Sequence, residues 1–257
     1  MSDGVQPPLS HGLWLLMSFL FWGAGPALAG PPFATDDPIP VEEGHWEVYG
    51  FTTGAKVADD TSGALAGAEA NFGAAPNLQL HAALSLAFDH ARGRPAQFGI
   101  GDIELGAKYR FLTPSDDDWW PHVGIFPAVE IPTGDANRGL GGGHTREYFP
   151  VWLQKDFGAW STYGGGGYWN NPGSGNRNFW FVGWLLQRQI TAQFALGVEA
   201  FHRTADAVDG KDSTGFNLGA IYDISDHYHV LFSGGRGLQN ANSTNQFSYY
   251  FGVQWTG

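Results

Sequence analysis

The 257 residues include no cysteine, so the chain has neither a disulfide framework nor a thiolate for metal or nucleophilic chemistry. Charge is scarce too: Asp, Glu, Lys and Arg make up 15% of the residues, against roughly 25% in an average soluble domain. Bases are the rarer sign, with 13 Lys and Arg against 25 Asp and Glu and a net charge of −12. Nucleic acid needs clustered cations to displace phosphate counterions, and these bases lie scattered, which speaks against that partner. Long apolar runs are also missing. After residue 30 none approaches the ~20 residues that a membrane-crossing helix requires.

Glycine, at 38 residues, and aromatics, at 15%, are abundant instead. Low charge without long apolar runs arises when apolar and small polar residues alternate, as they do in a membrane β-barrel. The stretch 101–111 shows the pattern directly. Ile103, Leu105, Ala107, Tyr109 and Phe111 fall on one face of an extended chain, and Asp102, Glu104, Gly106, Lys108 and Arg110 on the other. A helix would scatter them around its circumference.

The one helical-looking apolar run is 13–21, followed by Ala27-Leu28-Ala29. A short apolar core ending in small residues predicts a secretory signal peptide over 1–29, cleaved after Ala29, although no Lys or Arg precedes the core. Residues 30–44 carry Pro31, Pro32, Pro38 and Pro40 among Asp36, Asp37, Glu42 and Glu43. Proline cannot donate to a strand ladder, so this is an extended periplasmic arm, read first as solvated and alternatively as tucked into a barrel mouth.

From 45 to 257 the alternation predicts one domain, an all-β, antiparallel transmembrane barrel of about twelve strands. They are placed at 46–54, 64–72, 78–88, 98–111, 122–131, 145–155, 160–168, 178–188, 194–203, 214–222, 228–235 and 247–255. Connections alternate short and long, the asymmetry expected between periplasmic turns and extracellular loops. Phe72, Trp119, Trp120, Phe157, Trp160, Tyr222, Tyr228 and Trp255 gather at the short turns as an aromatic girdle. The stretch 178–188 is apolar on both faces and its register is not assignable. The last strand alternates Phe247, Tyr249, Phe251, Val253 and Trp255, an ending of the kind that barrel-insertion machinery reads; Thr256 and Gly257 follow it.

An Arg or Lys facing lipid at mid-membrane costs about 2–4 kcal/mol, so the charged faces line the interior. That puts Glu69, His81, Asp102, Glu104, Lys108, Arg110, Glu130 and Glu199 in the lumen. These groups fit either a structural network that fills the bore or a polar path for solute, with Glu130 and Glu104 opposing Lys108 and Arg110. The longest loop, 132–144, is either an ordinary external loop, the reading preferred, or a constriction presenting Asp135, Arg138 and His144 to solute.

Catalysis finds little support. His81 and Ser85 share the lumen face but lie ~13 Å apart along a strand, too far to form a nucleophile–base pair. His227 and His229 share a face without an evident third metal ligand. The expectation is no enzyme, no metal and no cofactor.

The chain resembles the outer-membrane β-barrel transporter family of the MetA pathway of phenol degradation. Thr35-Asp36-Asp37-Pro38, Gly44-His45-Trp46-Glu47, Gly101-Asp102, Lys108-Tyr109-Arg110-Phe111, Glu130-Ile131-Pro132-Thr133-Gly134-Asp135 and Ser213 through Gly219 carry the likeness. The resemblance implies a barrel of the Gram-negative outer membrane that moves small, phenolic or other aromatic, compounds, with outer-membrane lipid and the solute as partners. The alternative is a non-conducting structural or surface-interaction barrel with a charge-plugged lumen.

Overall fold

The computed structural model describes residues 30–115 and 118–257; the signal peptide expected over 1–29 lies outside them. Fourteen strand segments follow one another: β1 (Trp46–Lys56), β2 (Asp60–Ala75), β3 (Leu78–Ala91), β4 (Gln97–Ile100), β5 (Ile103–Leu112), β6 (His122–Ile125), β7 (Ala128–Ile131), β8 (Arg146–Phe157), β9 (Trp160–Asn170), β10 (Phe179–Thr191), β11 (Phe194–Arg203), β12 (Ser213–Asp223), β13 (Tyr228–Gln239) and β14 (Phe247–Thr256). Neighbours in sequence pair antiparallel around the sheet, and β14 returns to pair with β1. Both β4 and β5 pair with β3, and both β6 and β7 pair with β8. Two wall strands are thus each made in two pieces, and the fourteen segments form a closed barrel of twelve strands.

The two interruptions are adjacent in the wall, and the second has a local cause. Pro127 lacks an N–H for the ladder, and the chain breaks at Phe126-Pro127. There the Phe126 ring turns into the lumen, where it is buried. Gly106 makes room for it, since a β-carbon there would stand 2.7 Å from Phe126 Cε2.

Facing follows the period of two. On β3, Leu80, Leu84 and Leu86 point outward and are exposed, while Gln79, His81, Ala83 and Asp89 are buried inside. On β14, Phe247, Tyr249, Phe251, Val253 and Trp255 are all exposed on the outer wall. Exposed apolar side chains thus cover the outside of the sheet, the surface a barrel presents to lipid. No described helix is long and apolar enough to cross a membrane; the strands make the crossing. At the short-turn end Trp119, Trp120, Phe157, Trp160, Tyr222, Tyr228 and Trp255 are exposed, and Phe72 packs against Trp46 with ring centroids 4.6 Å apart.

Several strands run further than the alternation alone marks. β2 begins at Asp60 and ends at Ala75, so the connection from β1 is only 57–59, a tight turn where a long loop was expected. Gly63, at φ +158, lets β2 pass over the Thr53 carbonyl beside a shift in its register with β1 between Phe51 and Thr53. β10 resolves the unassigned register: Trp180, Val182, Trp184 and Leu186 face out, and Phe179, Phe181, Gly183 and Leu185 face in.

Candidate solute path

Residues 30–44 are not a solvated arm. They enter the barrel at the short-turn end and fill its bore, with Phe33, Thr35, Asp36, Pro38 and Val41 all buried. Four walls hold them. On β5, Lys108 Nζ lies 3.0 Å from Asp36 Oδ1 and 3.7 Å from Asp37 Oδ1. On β11, the fully buried Glu199 accepts from Ala34 N at 3.2 Å, from Thr35 N, and from Asn217 Nδ2 at 2.6 Å. Val41 N donates to Gln79 Oε1 on β3 at 2.9 Å, and Ser233 Oγ on β13 donates to Pro32 O.

Inward glycines give the arm its berth. A β-carbon on Gly197 or Gly219 would stand 2.6 or 2.8 Å from the Phe33 ring, and one on Gly183 would meet Thr35 Oγ1. Part of the high glycine content is therefore space reserved for the plug. Burying Asp36 beside Lys108 is tolerable only because the two charges are paired; either alone in the bore would be strongly disfavoured.

Above the plug, toward the long loops, the lumen opens into two clefts that share Thr53, Glu130 and Arg146. A chain of buried polar contacts leads to Glu104 in the wall of the acidic cleft. Asn71 Nδ2 donates to Glu69 Oε1 at 2.9 Å, His81 Nδ1 lies 2.8 Å from Asn71 Oδ1, and His81 Nε2 lies 3.1 Å from Glu104 Oε1. Glu104 is in register with Glu130, whose carboxylate is paired with Arg146 Nη2. The larger cleft, about 1180 Å³ with its open mouth included, is walled by Trp169, Phe179, Phe181, Phe201 and Tyr250, with Phe33 of the arm as its floor.

The loop 132–144 folds inward. Asp102 Oδ1 accepts from Gly134 N at 2.9 Å and Asp102 Oδ2 from Gly142 N at 2.5 Å, which draws Leu140 into the lumen until it is 3% exposed. An ordinary external loop was the preferred expectation, and this inward fold replaces it. The residues expected to line a constriction do other things, however. Asp135 caps a short 3-10 turn, Ala136–Arg138, and Arg138 donates to Gln97 Oε1 and Phe98 O at the rim. His144 lies against Gly173 of the neighbouring loop.

The structure therefore gathers Glu69, His81, Glu104 and Glu130 on one wall, and assigns Lys108 and Glu199 to the arm and Asp102 to the loop. Arg110 is not part of a transverse field; its Nε and Nη2 bond Asn77 Oδ1 at 3.1 and 2.8 Å on an exposed turn. The base that faces the acids is Arg146, which sequence reasoning missed. A signal was present. Arg146, Tyr148, Pro150 and Trp152 share one face of β8, and an arginine forces that face inward. His227 and His229 are not brought together as ligands: their Nδ1 atoms lie 2.8 Å from Thr256 O and 2.7 Å from Asp223 Oδ1 respectively.

Comparison with known proteins agrees with this architecture. The family model described as "Putative MetA-pathway of phenol degradation" matches residues 47–255. The chain belongs to that family. Among solved structures, it is similar to the COG4313 outer membrane channel from Pseudomonas putida F1, with a TM-score of 0.66 and 16% identity over 86% of this chain and 98% of that one. The KdgM porin, solved in complex with disordered oligogalacturonate, follows at a TM-score of 0.53 and 9% identity, covering 82% of this chain and 98% of its own. The NanC porin gives 0.52 and 10% over the same shares. A search of the curated proteins found no relative by sequence. At these identities the solved structures establish the fold, and the family member here has the fold of an outer-membrane β-barrel.

Proposed function

We propose that this chain is a passive channel for small solutes, phenolic and other aromatic compounds among them, in the outer membrane of a Gram-negative bacterium. Solute enters from the long-loop side, and the arm 30–44 closes the bore at rest. The observation that carries this reading is the pair of clefts above the plug, polar on one wall and aromatic on the other, opening toward the loops. The acids Asp102, Glu104, Glu69, Glu130 and Glu199, with His81 and Lys108, act here as the lining and latch of the path. The mouth is narrowed by Leu140, and Asp135, Arg138 and His144 border it. Bulk lipid meets the apolar outer wall, and the aromatic β14 is the strand offered to the insertion machinery. Nothing in this reading calls for catalysis, a metal or a cofactor.

A second reading, a non-conducting structural barrel, is favoured by the arm itself, whose contacts on four walls are those of a permanent filling. Single-channel recording of the refolded protein in planar bilayers separates the two. Stable unitary steps are expected of the channel. A folded, heat-modifiable barrel that stays silent would overturn it and leave the structural barrel.

A further inference from the structure

The larger cleft is chemically unlike the rest of the lumen. Its charged lining residues are Glu130, Arg146 and Arg203, a balance of +1, whereas the acidic cleft, lined by Asp102, Glu104, Glu130 and Arg146, balances at −2. The rings are set in order. Tyr148 stacks on Trp169 at 4.6 Å and Trp169 on Phe179 at 5.7 Å, while Phe181 stacks on Phe201 at 6.3 Å. Arg146 lies over Trp169 at 5.6 Å and Arg203 over Phe179 at 5.7 Å.

The two arginines differ in what they have left to give. Arg146 is tied to Glu130. The Arg203 guanidinium meets one carboxylate, Asp206, through Nη1 alone at 3.4 Å, and among the described residues it makes no other hydrogen bond or ion pair. A guanidinium carries five donors in a planar fork suited to a carboxylate, so most of that capacity is unfilled. Further polar atoms in the same cleft are buried with no hydrogen-bond partner, among them the Tyr250 hydroxyl, Asn245 Oδ1 and Arg146 Nε.

We propose that this cleft binds a single-ring aromatic carboxylate, its ring against Phe179, Phe181 and Phe201 and its carboxylate on the open edge of Arg203. The inference rests on the channel reading for how the ligand arrives, but not for its recognition. Phe181 and Ser213 are the register partners of Arg203 on either side, so a carboxylate on the fork has an aromatic wall to one side and a hydroxyl to the other. Desolvated aromatic faces favour a planar ring over an alicyclic one, and the balance of charge favours an anion over a neutral phenol or an aromatic amine.

The test is equilibrium dialysis of the full-length protein in detergent against three labelled probes: benzoate, benzyl alcohol and cyclohexanecarboxylate. Benzoate is expected to bind more tightly than either by about tenfold or more, since each alternative removes one of the two recognised features. Arg203→Gln should abolish the preference for benzoate over benzyl alcohol, Arg203→Lys should keep part of it, and Phe201→Leu should erode the preference over cyclohexanecarboxylate alone. Heat-modifiable migration on gels checks that each variant is folded. Equal binding of the three probes, or an Arg203→Gln variant that still prefers benzoate, overturns the proposal. Because dialysis does not need conduction, a silent channel that binds benzoate refutes only the channel reading, and a conducting channel indifferent to benzoate refutes only this one.

Discussion

Lys108 Nζ lies 3.0 Å from Asp36 Oδ1, joining the middle of a wall strand to a segment 72 positions earlier in the chain. Both groups are buried, so the contact is a latch whose two halves cannot be left apart inside the bore.

Neutralising one half should release the arm. Lys108→Met leaves Asp36 charged and unpaired, which costs about 3 kcal/mol or more of docking free energy. That shifts the docked-to-free ratio by about a hundredfold or more. Bilayer recordings should show larger or more frequent openings than the unmodified protein, and Asp36→Asn added to Lys108→Met should return them to the unmodified level. Arg110→Gln, near the end of β5 where its side chain bonds Asn77 in the adjoining turn, should leave conductance unchanged; a large change there would show that the bases of β5 act through their charge and not through the arm.

Space matters as much as charge. Gly183→Val puts a side chain where Thr35 Oγ1 sits, without altering the lipid-facing wall. The arm should be displaced while the barrel keeps its heat-resistant migration. A crystal structure of that variant with the arm still seated would mean that the plug is more deformable than its glycine berth implies.

The absence of cysteine allows a direct lock. A β-carbon at Gly183 would stand 3.2 Å from Thr35 Cβ, slightly inside the roughly 3.5–4.5 Å that a disulfide takes, so a small outward shift of the arm would seat one. In Thr35→Cys/Gly183→Cys, conductance should fall on oxidation and return with reductant, whereas each single variant should ignore both reagents.

At the other mouth, Asp102→Ala removes two charge-assisted bonds to the loop 132–144, each worth about 1.5–3 kcal/mol. Leu140 should leave the lumen, and the loop should become accessible to protease in intact cells. Unchanged cleavage would show that Leu140 burial alone holds the loop in.

The barrel could be read in the sequence because lipid outside and polar groups inside enforce a period of two, plainest in β5 and β14. β10 escaped that logic. Its outer Trp180, Val182 and Trp184 meet lipid, while its inner Phe179, Phe181 and Leu185 line an aromatic interior, so neither face is polar. The arm was illegible for a different reason. Proline and aspartate suit a solvated tether as well as a plug, and the partners that decide between them, Lys108 and Glu199, lie 72 and 164 or more positions away. Of the expected site residues, the wall acids were placed by facing alone. The loop residues were not, because Asp135 and Arg138 were chosen for charge, and what enters the lumen is the apolar Leu140.

The closing seam gives the plug a place in time. Trp46 and Gly257 exchange backbone hydrogen bonds of 2.6 and 3.0 Å where the first wall strand meets the end of the chain. The arm leads directly into that seam, yet it is seated on β3, β5, β11 and β13, strands from both halves of the wall. Its berth is therefore complete only once most of the wall has been built, although the arm itself leaves the ribosome before any wall strand. Contacts so distant along the chain form late and slowly. A wall that closed around an empty bore would be a leak for the cell that made it, so threading the arm before the last pair of strands zips is a matter of permeability as much as of folding.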